Sequence, residues 1–250
     1  YTISQGVSLL NTEEQYDYLL IGDSHANHYY RGIKQKGTRV KLSWYSACLS
    51  FPNAMSASPG IRVAITEGWK KSCSNNFKLG LEQKSPIILA QSWYKPQKNS
   101  LVCTSKPCII SGDFLTDLRA QLEELFTLYR GSKHIYVIGE LPKAMNNAAL
   151  LCLRANYLLG LSSLCAEEIK PNSSVVKVNQ ILRDTASIFD NVTFIDPTKT
   201  LCIQGECSYS IDGKSLFMTD GSHLTGYGSE YMWEYITNQI EIKESQAELD

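Results

Sequence analysis

Short apolar runs alternate with helical patterns along this chain. Five runs have the length, β-branching and aromatic content of strands: YLLIG (18–22), RVKLSWYS (39–46), SPIILAQ (85–91), KHIYVIGE (133–140) and NVTFID (191–196). Helical patterns occupy residues 24–36, 61–83, 113–131, 173–189 and 226–241. Strands that alternate with helices are joined by right-handed crossovers. The pattern therefore predicts a flavodoxin-like, three-layer α/β/α fold with a five-stranded, mostly parallel sheet.

One domain accounts for the whole chain. Its 250 residues, 43% of them hydrophobic, supply a substantial core. We expect residues 1–16 to be an N-terminal extension or linker and residues 242–250 to be a flexible tail. Asp212-Gly213 favours a tight turn, so the segment around it predicts a short hairpin. We find neither a membrane-spanning apolar stretch nor a signal-peptide pattern, and expect a soluble domain whose targeting segment lies outside it.

Charge and cysteine content restrict the partners and the compartment. The chain has 24 basic and 25 acidic residues, so no strong field attracts nucleic acid or an anionic membrane. Eight clustered cysteines favour disulfides and an oxidising compartment over free buried thiols. Pairing neighbours in sequence gives Cys48–Cys73, Cys103–Cys108, Cys152–Cys165 and Cys202–Cys207. The two CxxxxC pairs also permit a four-thiolate zinc site. The spacing within each pair is at the upper end of the range usual for zinc ligands, and we predict no metal.

The turn after the first predicted strand carries a candidate nucleophile. In GDSH (22–25), Ser24 stands where a strand ends and a helix begins. Functional sites of parallel sheets lie at such carboxyl ends, and N–H groups at a helix start stabilise an alkoxide and an oxyanion. Helix capping by Asp23 or Ser24 is the alternative, because these residue types are also common caps.

A candidate base stands at the other end of the chain. Asp220 and His223 are three residues apart before the last helix, so the carboxylate can orient the imidazole. A serine hydroxyl needs such a base to become a nucleophile. If the strand near residues 192–195 lies near the central strand at 18–22, both loops emerge at one sheet edge. Ser24, His223 and Asp220 then form a catalytic triad.

The remaining three histidines are weaker candidates for the base. His28 competes with His223, because it follows Ser24 by four residues on one helical face, but it lacks a carboxylate at a useful spacing. We keep it as a candidate for substrate binding. His25 and His134 are interpreted as structural or supporting residues.

The two candidate segments resemble the SGNH (GDSL-like) hydrolase superfamily. GDSH (22–25) is similar to its first block, and DGSH (220–223) to its Asp-x-x-His block. The forms GDSHANH, IILAQSWY and DGSHLT are more similar to one subfamily, the periplasmic SGNH domains fused to acyltransferase-3 membrane proteins, such as bacterial O-antigen acetyltransferases. This resemblance spans residues 17–241. It implies an O-acetyltransferase that passes an acetyl group through an acyl-serine intermediate to a sugar hydroxyl of a surface polysaccharide.

The resemblance also implies partners and a location. It implies a periplasmic domain of an inner-membrane protein, covalently linked to a membrane acyltransferase domain. That domain would supply the acetyl donor, derived from acetyl-CoA, and no cofactor would be bound. The acceptor would be a polysaccharide or lipid-linked glycan, and we expect a monomer.

The oxyanion hole departs from the superfamily pattern. The superfamily uses the N–H of the serine, a glycine after the second strand and an asparagine after the third, whereas this chain has YSACLS and AQSW there. Ser46 and Ser92 stand at these positions, with Gln91 and Trp93 as neighbours that donate or line the pocket. Trp93 and Trp44 either stack on a sugar or belong to the core.

Two other functions stay open. A secreted SGNH esterase or carbohydrate deacetylase would use the same site without a membrane partner. A glycan-binding module with a vestigial site would explain the missing glycine and asparagine.

Overall fold

The computed structural model describes residues 4–49, 51–57, 67–94, 100–103, 108–131, 134–142, 168–169 and 172–247. The strands are β1 (Gly6–Leu10), β2 (Tyr18–Gly22), β3 (Val40–Trp44), β4 (Ala54–Ala57), β5 (Ile87–Ala90), β6 (Ser100–Cys103), β7 (Ile135–Ile138), β8 (Glu168–Ile169), β9 (Val192–Ile195), β10 (Cys202–Ile203), β11 (Glu206–Ser208), β12 (Ser210–Ile211) and β13 (Lys214–Ser215). The helices are α1 (Ser24–Asn27), α2 (Tyr30–Lys36), α3 (Glu67–Leu81), α4 (Phe114–Leu128), α5 (Ser173–Ala186), α6 (Thr198–Leu201) and α7 (Gly226–Ala247).

The central sheet has the strand order β1-β3-β2-β5-β7-β9. The five predicted strands are its five parallel members, which confirms the predicted fold class. The sixth strand, β1, pairs antiparallel with β3, so residues 6–10 belong to the sheet and are not a linker. This edge strand escapes the sequence pattern because it is only half-buried: Val7 and Leu9 are exposed while Leu10 is in the core.

Helices cover both faces of the sheet, and β2 shows how its residues are shared between them. Leu20 packs in a core with residues of α2 and α7, including Ile33 and Trp233. Leu19 and Ile21 point to the opposite face, as alternate strand residues must, and pack in a second core with residues of α3, α4 and α5. The sheet is therefore the middle layer of three.

The last helix continues through most of the predicted flexible tail. It runs to Ala247, because Glu244 accepts hydrogen bonds from Tyr136 Oη at 3.2 Å and, more weakly, from Tyr18 Oη at 3.4 Å. Residues 248–250 lie outside the described residues.

The helix predicted at 24–36 is split into two helices, α1 and α2, at His28 and Tyr29. The predicted hairpin is present as β12 and β13, with positive φ angles of 50° at Asp212 and 70° at Gly213.

Three of the expected cysteine pairs are disulfides: Cys48–Cys73, Cys103–Cys108 and Cys202–Cys207. The fourth expected pair, Cys152 and Cys165, lies outside the described residues. Because both CxxxxC pairs are disulfides, their sulfurs are not available as zinc thiolates. Among the described helices, none combines the length and the apolar character needed to cross a membrane.

Candidate active site

The candidate nucleophile lies on a tight turn between β2 and α1. Gly22 ends the strand so close to β5 that a Cβ atom on it would meet the carbonyl oxygen of Ala90 at 1.7 Å, so only glycine fits there. Asp23 caps α1, since its Oδ1 accepts the His25 N–H at 2.9 Å. Ser24 is the first residue of that helix. Capping therefore belongs to Asp23, which leaves the Ser24 hydroxyl available for another role.

Ser24, His223 and Asp220 form one continuous hydrogen-bonded chain. Ser24 Oγ lies 2.8 Å from His223 Nε2, and His223 Nδ1 lies 2.5 Å from Asp220 Oδ2. The other carboxylate oxygen, Oδ1, accepts the N–H groups of Ser222 at 2.9 Å and His223 at 3.0 Å. An Nδ1–H that donates to Asp220 leaves Nε2 free to accept the serine proton.

The environment keeps Asp220 ionised. Burial alone would raise the pKa of this carboxyl, but hydrogen bonds from the His223 side chain and from the backbone of His223 and Ser222 outweigh burial. The pKa of Asp220 consequently lies well below its usual range. A carboxylate at neutral pH stabilises an imidazolium beside it.

The two loops meet by a route that differs from the expected one. β9 is not near β2 but is the edge strand beyond β5 and β7. The chain returns from that edge through α6 and the short strands β10 to β13. α7 then packs against α2, where Gly32 N–H donates to Ser229 Oγ at 2.9 Å. Because α2 follows Ser24 and α7 follows His223, this helix pair brings the loops together.

The loop that carries Asp220 and His223 is closed by its own backbone. Met218 N–H donates to the His223 carbonyl at 2.7 Å, and Gly221 N–H donates to the Met218 carbonyl at 2.9 Å. Thr225 N–H donates to the Leu216 carbonyl at 2.9 Å just before α7 begins. These bonds fix the base and its carboxylate in one tight turn.

A cavity of about 550 Å³ opens beside Ser24 and His223. Asn27, Arg31 and Trp44 also line it, and the volume is in the range of small-molecule sites. Asn27 Oδ1 and Trp44 Nε1 are buried without a hydrogen-bond partner in the described part of the chain. Unsatisfied polar atoms of this kind are typical of surfaces that bind a polar ligand or water.

Among the described residues, the histidine that is hydrogen-bonded to the Ser24 hydroxyl is His223. Both ring nitrogens of His28 are buried and lack a hydrogen-bond partner among the described residues, although its ring lies 6.3 Å from that of His223. Burial, and then the nearby His223, lower the pKa of His28 well below its usual value, against the opposing effect of Asp220. His25 is buried with its ring 4.9 Å from that of His223. His134 bonds Thr193 Oγ1 at 2.8 Å, away from this site.

Of the expected oxyanion and substrate-binding residues, Ser46 and His28 line the cavity, and the other three do not. Ser46 and Ser24 both line the cavity, and no described residue accepts a hydrogen bond from either main-chain N–H. Ser92 N–H donates to Asp23 Oδ1 at 3.1 Å, so the amide is engaged in holding the nucleophile turn. Trp93 is a core residue whose Nε1–H donates to the Ile138 carbonyl at 2.8 Å. Gln91 is also buried and is not among the residues that line this cavity.

Two residues of α3 bond the backbone of the segments that carry the site, and the sequence pattern did not indicate them. Trp69 and Asn76 bond backbone carbonyls of Ser46 and Gly22, respectively. Both lie within the predicted helix at 61–83, but helical spacing carries no sign of a contact with loops so distant along the chain.

Comparison with known proteins adds a family and a fold. The profile of the family described as "SGNH domain (fused to AT3 domains)" matches residues 4–237. The lipopolysaccharide acetyltransferase periplasmic domain of Salmonella ser. Paratyphi A is structurally similar, with a TM-score of 0.62 and 16% identity over 91% of this chain and 85% of that one. The catalytic domain of peptidoglycan O-acetyltransferase A of Streptococcus pneumoniae has a TM-score of 0.47 and 11% identity over 92% and 95% of the two chains. No curated protein matches the sequence significantly.

Proposed function

The chain belongs to the family of SGNH domains described as fused to AT3 domains, and on that premise we propose that it is a serine-dependent O-acetyltransferase. It transfers an acetyl group to a sugar hydroxyl of a bacterial surface polysaccharide, the O-antigen. The observation that carries this proposal is the chain from Ser24 Oγ through His223 to Asp220, with its 2.8 Å and 2.5 Å contacts. The fold shared with a lipopolysaccharide acetyltransferase domain supports it.

In the first half-reaction, Ser24 Oγ attacks the carbonyl carbon of the acetyl donor. His223 Nε2 accepts the serine proton and then passes it to the leaving group of the donor. Asp220 stabilises the imidazolium that exists between these two transfers. The N–H groups of Ser24 and Ser46 bind the oxyanion, and collapse of the tetrahedral species leaves acetyl-Ser24.

In the second half-reaction, a sugar hydroxyl takes the place of the leaving group. His223 removes its proton while the hydroxyl oxygen attacks acetyl-Ser24, and the same proton returns to Ser24 Oγ when the ester bond breaks. The acceptor binds in the cavity next to Asn27, Arg31 and Trp44. Water in that place would give acetate instead.

The donor reaches the site from a covalently linked membrane acyltransferase domain. The description of the family, with its fusion to AT3 domains, supports this, and we infer that the acetyl group derives from acetyl-CoA. Three disulfides fit an oxidising compartment, and we infer that the domain lies in the periplasm, works as a monomer and acts on a polysaccharide or lipid-linked glycan. The mechanism requires no bound cofactor.

The test is an acetyl-transfer assay that measures the masses of the protein and of the glycan after the reaction. The domain is incubated with an activated acetyl ester, with and without O-antigen oligosaccharide, and the protein and the glycan are analysed by mass spectrometry. We expect acetyl-Ser24 without the glycan and acetylated glycan with it, and we expect the Ser24→Ala variant to form neither.

Two results would contradict the proposal. Hydrolysis of the ester at the same rate with and without the glycan would favour a secreted esterase or deacetylase. Glycan binding without any modification of Ser24 by the ester or by a serine-directed phosphonate would favour a binding module.

A further inference from the structure

Helix α3 is bonded to both strand-end segments that carry the proposed oxyanion donors. Asn76 Nδ2 donates to the Gly22 carbonyl at 3.1 Å, two residues before Ser24. Trp69 Nε1 donates to the Ser46 carbonyl at 3.0 Å. Between them on the helix, Cys73 forms a disulfide with Cys48. Since residues 69, 73 and 76 are spaced by four and three, one face of α3 makes all three links.

Asn76 ties the ends of β2 and β3 together. It is fully buried, and its amide is bonded at both ends. Ser43 Oγ of β3 donates to Asn76 Oδ1, and Asn76 Nδ2 donates to the Gly22 carbonyl of β2. The same carbonyl accepts Tyr45 N–H at 3.3 Å. The end of each strand is thus held to the other through one side chain of α3.

Both peptide planes that flank Ser46 are also held. Cys48 N–H donates to the Tyr45 carbonyl at 3.2 Å, which fixes the plane that carries the Ser46 N–H. The bond from Trp69 fixes the next plane, which carries the Ser46 carbonyl. Ala47 follows with a φ of 60°, a conformation that a non-glycine residue keeps only where its surroundings impose it. The buried disulfide fixes Cys48, the residue that closes this turn.

We propose that α3 sets the position of the Ser46 N–H relative to Ser24, with Trp69 and Asn76 as positioning residues and the Cys48–Cys73 disulfide as the link that makes this position sensitive to thiol reduction. The inference rests on the proposed function, in which the N–H groups of Ser24 and Ser46 bind the oxyanion. Negative charge develops on that oxygen only in the transition state. A displaced donor therefore lowers kcat far more than it changes KM.

The first experiment compares Trp69→Phe with a control variant, with an activated acetyl ester as substrate. Trp69→Phe removes the indole N–H that holds Ser46. Tyr235→Phe is the matched control, because its hydroxyl also donates one hydrogen bond to a backbone carbonyl, that of Asp196 at 2.9 Å, at the end of edge strand β9 and three strands away from β2. We expect Trp69→Phe to lower kcat by roughly tenfold to a hundredfold with KM within about twofold. The control keeps both constants within about twofold.

The second experiment removes one disulfide at a time. The Cys48→Ser/Cys73→Ser variant should lower kcat by roughly tenfold, and the Cys103→Ser/Cys108→Ser variant should leave kcat within about twofold. Thermal unfolding of each variant identifies any that fails to fold. Unchanged kcat in folded Trp69→Phe and Cys48→Ser/Cys73→Ser proteins would overturn the proposal.

An amide readout separates this proposal from the proposed function. In ¹⁵N-labelled protein, Trp69→Phe should shift the Ser46 and Ala47 amide resonances and speed hydrogen exchange of the Cys48 N–H, which donates to the Tyr45 carbonyl, whereas Tyr235→Phe should not. Wild-type protein that forms no acetyl-Ser24 refutes the proposed function, whatever these amides do. Unchanged amides in the Trp69→Phe protein refute the role of α3, whatever the activity.

Discussion

Asp220 uses each of its oxygens for a different task. Oδ2 faces His223 Nδ1, whereas Oδ1 accepts the two N–H groups that shape the turn. The first contact favours the imidazole tautomer whose Nε2 can accept a hydrogen bond from Ser24 Oγ, and the second holds the loop. In the proposed mechanism, Asp220 therefore contributes both to the chemistry and to the local backbone. A substitution that keeps the shape of the side chain can separate the two contributions.

Asp220→Asn should abolish most of the activity and leave the fold intact. The amide keeps an oxygen for the turn but presents an N–H to Nδ1, which favours the wrong tautomer. We expect kcat to fall by roughly 10³- to 10⁴-fold. The measurement is acetyl-ester turnover, and Asp212→Asn, the same change at the exposed hairpin turn, is the control.

Alanine variants of the two histidines test which one is the base. If His28→Ala abolishes turnover and His223→Ala does not, the base is His28 and the assignment of His223 is wrong.

His28 should make the fold sensitive to mild acid. Burial and the neighbouring His223 lower the pKa of His28 below the ordinary 6.5. Just below pH 6.5, the imidazole is therefore protonated in the unfolded chain but stays neutral in the folded protein. The contribution of His28 therefore leaves stability unchanged above its ordinary pKa and lowers stability as the pH drops below that value. His25 and His223 face this ring as further basic groups, and Asp220 opposes them.

The test is urea unfolding of wild-type and His28→Gln proteins at about pH 7.5 and about pH 5.5. The variant should lose less free energy of unfolding between the two pH values than the wild type. Equal losses would show that His28 takes up its proton as readily in the folded protein as in the unfolded chain.

At the scale of elements, the site depends on how closely α2 and α7 approach. Gly32 on α2 lies against the Ser229 backbone of α7: an added Cβ would meet the Ser229 carbonyl oxygen at 2.4 Å and Trp233 Cβ at 2.5 Å. This contact, with the bond from Gly32 N–H to Ser229 Oγ, fixes the distance between the helices that follow Ser24 and His223. The absence of a side chain at residue 32 is thus a condition for the triad.

Gly32→Ala should destabilise the protein and weaken the triad together. The Cβ atom meets backbone rather than a flexible side chain, so the helices must separate, and overpacking of this kind costs about 1–3 kcal/mol. Urea unfolding measures the loss, and ester turnover measures the effect on the site. Gly131→Ala is the control, because an added Cβ there meets no atom within 4 Å. Similar stability of both variants would show that α2 and α7 do not need this contact.

At the scale of the whole molecule, disulfides tie loops to the elements around the sheet. Cys48–Cys73 joins the loop after β3 to α3, and Cys202–Cys207 joins β10 to β11. The site itself stands where β2 and β3 end, with α7 covering it from the far end of the chain. Reduction of these two disulfides would therefore release the loop after β3 from α3, and β10 from β11.

Intact mass should show four disulfides in the secreted or refolded protein. Three are present in the described residues, and we predict that Cys152 and Cys165 form the fourth. Alkylation without reductant should add no groups, and alkylation after reduction and unfolding should add eight, one for each cysteine in the sequence. Two groups added without reductant, located by peptide mapping at residues 152 and 165, would contradict the fourth pair.

The sequence by itself determined the local features of this protein. Apolar runs and helical spacing are set by hydrogen bonding and burial within a few residues, so they predicted the five parallel strands and the helices between them. The Asp220 and His223 spacing is equally local, because both lie in one turn. The position of Ser24 after a buried strand was readable for the same reason.

Tertiary structure decided which of these local features meet. Ser24 and His223 are 199 residues apart, and the strand expected to bring them together lies at the far edge of the sheet. The contact instead depends on the packing of α7 on α2, and the engagement of Ser92 by Asp23 likewise depends on the order of the strands. Such pairings follow from the packing free energy of the whole chain, which no short segment of the sequence encodes.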